Sequence, residues 1–163
     1  MNTSADLMRD EAFMQEALRL ARSGIEQRHG GPFGALVVIG DEIVGRGWNQ
    51  VVFRNDPTAH AEILAIREAC SRRHHFHLED ATLYSTCEPC PMCLAAIHWA
   101  RIETVVYAAD AADAARLGFQ DEAIRLALRE SMAKSSITVR RLLQDSALEV
   151  FERWRNDQGK VPY

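Results

Sequence analysis

No apolar run in the sequence reaches the roughly 18 residues that a bilayer-crossing helix needs. The opening stretch, Met1 to Asp10, is polar and lacks the apolar centre of a signal peptide. A basic excess is missing too: 19 Lys and Arg face 23 Asp and Glu, for a formal net charge of −4 at pH 7. Proteins that depend on phosphate contacts carry the opposite balance, which argues against nucleic acid as a partner. Glycine and proline are sparse, at 9 and 5 residues, and there is no repeat, linker or low-complexity tract. Collagen-like and disordered chains are thereby excluded. Cysteine is limited to four residues, and a chain of this length buries roughly 70% of its unfolded surface without disulfide staples. The reading that survives is a soluble, cytoplasmic protein with no membrane partner. In that reducing setting a few clustered thiols serve as metal ligands or catalysts.

What is present fits one domain spanning 1–163, with 47% hydrophobic and 26% charged residues. Phe13, Met14, Ala17, Leu18, Ala21 and Ile25 recur at helical spacing, which predicts an amphipathic helix over 10–28, stopped at His29-Gly30-Gly31-Pro32. Phe33 to Ile39 and Glu42 to Trp48 flank Gly40-Asp41 and predict a β-hairpin. A loop through 54–57 leads to a helix over about 59–73, with Asp56 or Thr58 available as its cap. A strand follows at 81–85, then a helix opened by Pro89-Cys90-Pro91 and running to about Arg101. A strand at 104–108, a helix at 122–131, a strand at Ile137–Val139 and a closing helix at 144–156 complete the series. Alternating strands and helices predict an α/β fold layered around a mostly buried sheet.

Two short segments carry the chemistry. His60-Ala61-Glu62 stands at one predicted helix start and Pro89-Cys90-Pro91-Met92-Cys93 at another. Cys90 and Cys93 are three apart, so on a helix their side chains point to one side, about 60° apart. His60 and Glu62 can address one point only if it lies beyond the amino-terminal end of their helix. Two helix ends meeting at one cation satisfy both pairs, and their partial positive charge favours the thiolates that zinc requires. One histidine and two thiolates make the three-ligand pattern of a catalytic zinc, one per chain, with a fourth position for water. The metal lowers that water's pKa toward neutrality to give a hydroxide nucleophile, and Glu62 within reach of it would shuttle the protons. H-x-E followed by P-C-x-x-C is the signature of zinc-dependent nucleobase deaminases.

Each half alone is weak. Cys87-x-x-Cys90-x-x-Cys93 with Cys70 also suits an iron–sulfur cluster or a four-thiolate zinc knot. A ferredoxin-type run wants a fourth cysteine soon after the third, and Leu94-Ala95-Ala96-Ile97 has none. A knot through Cys70 leaves His60 and Glu62 without a role. Cys70 and Cys87 therefore read as inert or supporting thiols, His74, His75 and His77 as an exposed charged stretch, and His98 as a packing or surface residue.

These motifs resemble the cytidine deaminase superfamily, and within it the small bacterial guanine deaminases. The resemblance runs from about Phe13 to Tyr163 and includes Gly30-Gly31-Pro32-Phe33-Gly34-Ala35, Asn55 to Glu62, Cys87 to Leu94, Trp99-Ala100-Arg101, Tyr107-Ala108-Ala109 and Gly118-Phe119. It implies a three-layer α/β/α sandwich with a mixed five-stranded sheet, and zinc-dependent deamination of guanine, a small purine base, to xanthine and ammonia. It further implies that Asn49 hydrogen-bonds the purine, that Phe33 helps to hold its ring and that Asp121 contacts an N–H edge. Ala61, Trp99 and Tyr163 complete the implied substrate contacts. The family's dimers exchange their carboxy-terminal segments, here about 144–163, so Asp121 and Tyr163 would act in the partner's site of a homodimer. The chain departs from the family pattern at Gln120, where the pattern is acidic, and has an amino terminus several residues longer. Plainer readings stand beside these: Phe33 as core, Asp121 as a helix cap, and Tyr163 as a frayed end.

The nearest rival is a tRNA-specific adenosine deaminase, which shares the segment Asp56 to Glu62 and the zinc motifs. Such an enzyme must bind an anticodon loop, and the net charge of −4 and the bulk of Trp99 stand against it. Guanosine, cytosine or a triazine such as ammeline are closer chemical alternatives as substrates. A rival of another class is a zinc-stabilised binding module, in which a proton-shuttling Glu62 has no use.

Overall fold

The computed structural model describes residues 4–119, 121–129, 138 and 140–161, in two compact units, Met1–Asp121 and Glu122–Tyr163. The first unit runs α1 (Ser4–Glu26), β1 (Gly34–Ile39), β2 (Glu42–Trp48), α2 (Val51–Arg54), α3 (Ala61–Arg73), β3 (Ala81–Cys87), α4 (Pro91–Trp99), β4 (Thr104–Ala109) and α5 (Ala111–Arg116). The second contains α6 (Glu122–Arg129) and α7 (Gln144–Asn156).

The sheet has the order β2-β1-β3-β4. β1 is antiparallel to both neighbours, and β3 and β4 are parallel. A parallel pair needs a crossover, and α4 supplies it, so the mixed sheet follows from the motif-bearing helix itself. Among the described residues the sheet has four strands where five were expected. The fifth expected strand is Ile137–Val139. Of these only Thr138 is described, and it belongs to no element.

β1 is buried on both faces, which is why it reads as a continuous apolar run. Toward one face Ala35 and Val37 join Leu83 against Ala65, Ile66 and Ala69 of α3 and Ile97 of α4. Toward the other, Leu36, Val38 and Tyr84 pack on Ala17 and Leu20 of α1, with Phe13 and Met14 alongside. Helices on both faces of one sheet make the α/β/α layering. The Tyr84 hydroxyl, whose pKa burial raises, donates to Asp10 Oδ1 at 2.6 Å and ties β3 to α1.

The helices approach unusually close. A Cβ on Gly47 would lie 2.0 Å from the Ala61 carbonyl oxygen, and one on Gly45 2.1 Å from that of Ala65. Ala61, Ala65 and Ala69, one turn apart, are all fully buried along this seam. Gly34 does the same for α1, with the Ala17 carbonyl oxygen 2.1 Å from its would-be Cβ.

Several boundaries differ from expectation. α1 begins at Ser4 and not near residue 10. α2, a single turn of four residues, lies where the sequence predicts no helix. α5 was not anticipated, although Asp110 and Asp113 form a capping box in which each side chain accepts from the other's backbone N–H. α3 is capped by neither Asp56 nor Thr58. Its N-cap is His60, and Asp56 Oδ1 instead accepts from the Thr58 backbone N–H and hydroxyl, closing a turn around Pro57.

Placing a methyl in the seam should force α3 away from β2. Gly47→Ala is expected to lower unfolding free energy by roughly 1–3 kcal/mol, the usual overpacking cost. Gly159→Ala, whose Cβ would meet only Asp157 Oδ1 at 3.4 Å, should stay within about 0.5 kcal/mol of the parent. Chemical denaturation reads both. Equal midpoints would mean that the glycine seam does not set the α3–β2 distance.

Candidate active site

The functional side chains gather where the carboxy-terminal end of β3 meets the amino-terminal ends of α3 and α4. His60 is the N-cap of α3 and Cys90 the N-cap of α4, both in extended backbone, and neither side chain caps its own helix. Pro91 fits the first turn of α4 because its missing N–H has no helical partner there. Freed from capping, both side chains turn to a common point. His60 Nδ1 lies 3.6 Å from Cys90 Sγ and 3.5 Å from Cys93 Sγ. One ligand atom from each of the three residues falls within 4.8 Å of the others, the sole such group among the described residues.

The spacing itself points to an ion. One imidazole nitrogen offers one proton or one lone pair, so it cannot make good hydrogen bonds to two sulfurs. Around a tetrahedral zinc, with bonds of about 2.3 Å to sulfur and about 2.0–2.1 Å to nitrogen, these ligands stand roughly 3.5 Å apart. His60, Cys90 and Cys93 therefore fit zinc in donor set and in spacing. The bond from Cys93 and then the one from His60 lower the Cys90 pKa to about 4. The same Cys90–Cys93 bond raises the Cys93 thiol. His60 is raised, first by its bond to Cys90.

Glu62, in the first turn of α3, is 6% exposed. Burial raises its carboxyl pKa, against the opposing pull of its own backbone N–H and the Cys93 thiol. A carboxyl beside the ligands and shifted toward neutrality is suited to give and take protons.

Asn49 is brought to the same end of the sheet. The next residue's amide, Gln50 N–H, donates to Ala59 O at 2.9 Å, immediately before His60, and Asn49 N–H donates to Phe33 O at 2.9 Å. Phe33 is half-buried, packs on the core of the α3 face and meets Phe119 edge-on at 4.9 Å. Phe119 was not assigned a role from sequence, and an aromatic beside a glycine is a thin signal. Ala61 is fully buried in the seam. Trp99 is 69% exposed on the last turn of α4, nine residues and roughly 13 Å along the helix from Cys90. Asp121 directly precedes α6. Tyr163 and Gln120 lie outside the described residues.

The other cysteines and histidines stay apart from the ligand group. Cys87 is buried at the end of β3, its pKa pushed up to about 11 by burial, with Sγ 3.7 Å from Asp110 O. Cys70 sits far along α3 and burial raises it as well. His74 ends α3 in the left-handed conformation, and His98 is exposed.

A mixed sheet between helices, with H-x-E and P-C-x-x-C delivered to one point, defines a zinc-dependent deaminase architecture. The chain belongs to the cytidine and deoxycytidylate deaminase zinc-binding family, whose defining region matches residues 7–109. It is 43% identical over 156 residues to the guanine deaminase of Bacillus subtilis, covering 96% of this chain and 100% of that one. The tRNA-specific adenosine deaminase of the same organism is also 43% identical, over 103 residues and 63% of each chain. A crystal structure of the Bacillus subtilis guanine deaminase superposes with a TM-score of 0.90, covering 94% of this chain and 98% of that one. A guanine deaminase structure from Nitrosomonas europaea gives 0.64 at 33% identity, over 68% and 64%.

Elemental analysis of the purified chain should find about one zinc per chain, as the three-ligand pattern requires. Cys90→Ala and His60→Ala should lose most of it, while Cys70→Ala should keep it. Full zinc retention in Cys90→Ala, or iron with sulfide in the parent, would discard this ligand set.

Proposed function

We propose that the chain is a cytoplasmic guanine deaminase that hydrolyses guanine to xanthine and ammonia. The observation that carries this reading is the buried Glu62 beside the His60–Cys90–Cys93 group, in a chain alike along nearly its whole length to a guanine deaminase. The absence, among the described residues, of any helix long and apolar enough to cross a membrane accords with it. The similarity to tRNA-specific adenosine deaminases covers about three-fifths of the chain, enough for the zinc motifs but not for the remainder.

His60, Cys90 and Cys93 hold the zinc, which when bound supplies a water of near-neutral pKa. Glu62 accepts a proton from the incoming water and gives it to the ring nitrogen beside C2, then takes the proton left on the new C2 hydroxyl and passes it to the departing amine. Water and guanine thus become xanthine and ammonia, and Glu62 ends as it began. Asn49 contributes a hydrogen-bond donor to an acceptor on the purine. Phe33, braced by Phe119, flanks the ring, and Asp121 accepts from ring N–H groups. Adenine lacks the N1–H, so a carboxylate placed there would be left unpaired, a mismatch that rejects a base by roughly 10⁴–10⁵-fold.

Residues 1–163 act as one cytidine deaminase-like domain in this reading. Two chains form a homodimer by exchanging the segment at about 144–163, so that Asp121 and Tyr163 serve the partner's site. Trp99 and Ala61 are the remaining proposed contacts.

Glu62→Gln should keep zinc and fold yet lose at least roughly 10²–10⁴-fold in kcat, the usual general acid–base contribution. Near-parental turnover would remove Glu62 from the mechanism. Guanine should give a higher kcat/KM than guanosine, cytosine, ammeline or an adenosine-bearing RNA, and any of these overtaking it would replace the substrate. Mixing Glu62→Gln chains with Asp121→Ala chains should restore part of the activity. Failure to do so after verified subunit exchange would confine each site to one chain.

A further inference from the structure

Asn49 is 5% exposed, and its Oδ1 accepts from two backbone amides, Gly31 N–H at 3.1 Å and Val51 N–H at 3.3 Å. A flipped amide would set its NH2 group against two donors, so the carbonyl end is committed to the protein. The Nδ2 end donates to no group among the described residues. Gly30 makes the approach feasible, since a Cβ there would lie 2.0 Å from Asn49 Oδ1.

His29 stands two residues before Gly31 and also holds α2, whose first residue is Val51. The His29 carbonyl oxygen accepts from Val52 N–H at 3.1 Å and Phe53 N–H at 3.0 Å, which seats α2. A helix of one turn has no stability of its own, so its place is set by such anchors. The His29 ring is itself clamped. Trp48 Nε1–H donates to His29 Nδ1 at 3.0 Å, and the ring stacks on Phe53 at 4.3 Å between centroids. Indole nitrogen only donates, so Nδ1 accepts and the ring proton sits on Nε2. His29 thus braces Gly31 on one side through the turn it begins, and Val51 on the other through α2.

We propose that His29 is a positioning residue which, by bracing the 29–31 turn and α2 against Trp48 and Phe53, holds the Asn49 amide in a single orientation. This makes a hydrogen-bond acceptor obligatory on the substrate edge that meets Nδ2. The inference rests on the reading of Asn49 as a purine contact, but the brace can be measured without substrate. In zinc-loaded protein, the side-chain NH2 pair of Asn49, assigned by its loss in Asn49→Ala, should show a heteronuclear NOE close to that of the surrounding backbone. His29→Ala should lower it markedly, and His29→Asn, which returns an acceptor to the indole, should recover part of it. Should His29→Ala fail to fold, Trp48→Phe removes the same hydrogen bond and should loosen the amide in the same way. An Asn49 amide as ordered in the folded variant as in the parent overturns the proposal.

Kinetics supply the second arm. Loss of one neutral hydrogen bond corresponds to roughly 3- to 10-fold, so His29→Ala should raise KM for guanine by about that factor while kcat holds. In an Asn49→Ala background the same substitution should add nothing further. An equal KM rise in that background overturns the proposal. A parent that does not turn over guanine overturns the functional reading, while the amide measurement still decides the role of His29.

Discussion

The site depends on how closely α3 can lie on β2. A helix packed on a sheet through ordinary side chains keeps its axis about 10 Å away, and here glycines at 45 and 47 remove those side chains on the strand side. Ala61 and Ala65 remove them on the helix side. The carbonyls of α3 then rest almost on the strand, and the amino-terminal turn carrying His60 and Glu62 is drawn against the sheet. The same contact buries Ala61 fully and Glu62 almost fully. Without that approach the first turn of α3 would stand farther from the end of β3, and the imidazole could not sit about equally far from two sulfurs of α4.

Burial has an electrostatic consequence that the site exploits. Two thiols, a carboxyl and an imidazole gather in a space with little water, so they cannot all carry their usual charge. The Cys90–Cys93 bond lowers the pKa of one thiol and raises that of the other, and burial pushes the Glu62 carboxyl toward its neutral form. A divalent cation reverses the balance, because it stabilises both thiolates and removes the need for the shared proton. A bound cation therefore satisfies the whole polar cluster. That is the signature of a site built for a cation, where an ordinary core would have used apolar residues.

Much of this was legible in the sequence because the informative signals are local. H-x-E and P-C-x-x-C specify ligand types and helix starts within a few residues, and β1 and β2 announce themselves by composition and by the Gly40 turn. The limits of legibility are equally physical. α2 is too short to show a period, and α5 is fixed by a reciprocal Asp110–Asp113 cap whose pattern is common in loops. The seam between Gly45, Gly47 and the alanines of α3 is a long-range match of small residues, and neither half means much alone. Asn49 could be singled out by resemblance, but its lock by Gly31 and Val51 could not, since backbone amides leave no mark in a sequence. The expected strand at 137–139 falls mostly outside the described residues.

The division of the chain also divides the chemistry. The family match ends at Ala109, the last residue of β4, and within it lie every metal ligand, Glu62, Phe33 and Asn49. That region is what different deaminases can hold in common, because water activation and proton transfer are the same task for any amino-substituted base. Selection among bases needs groups that the region does not contain. As the purine contact proposed above, Asn49 would supply only a donor, its acceptor being spent on the protein, and a donor alone is met by adenine and guanine alike. An acceptor opposite a ring N–H is what separates them, and the carboxylate proposed for that role, Asp121, lies past the shared region. Similarity that continues through 96% of the chain thus bears on substrate choice, whereas similarity confined to the first two-thirds bears on the reaction.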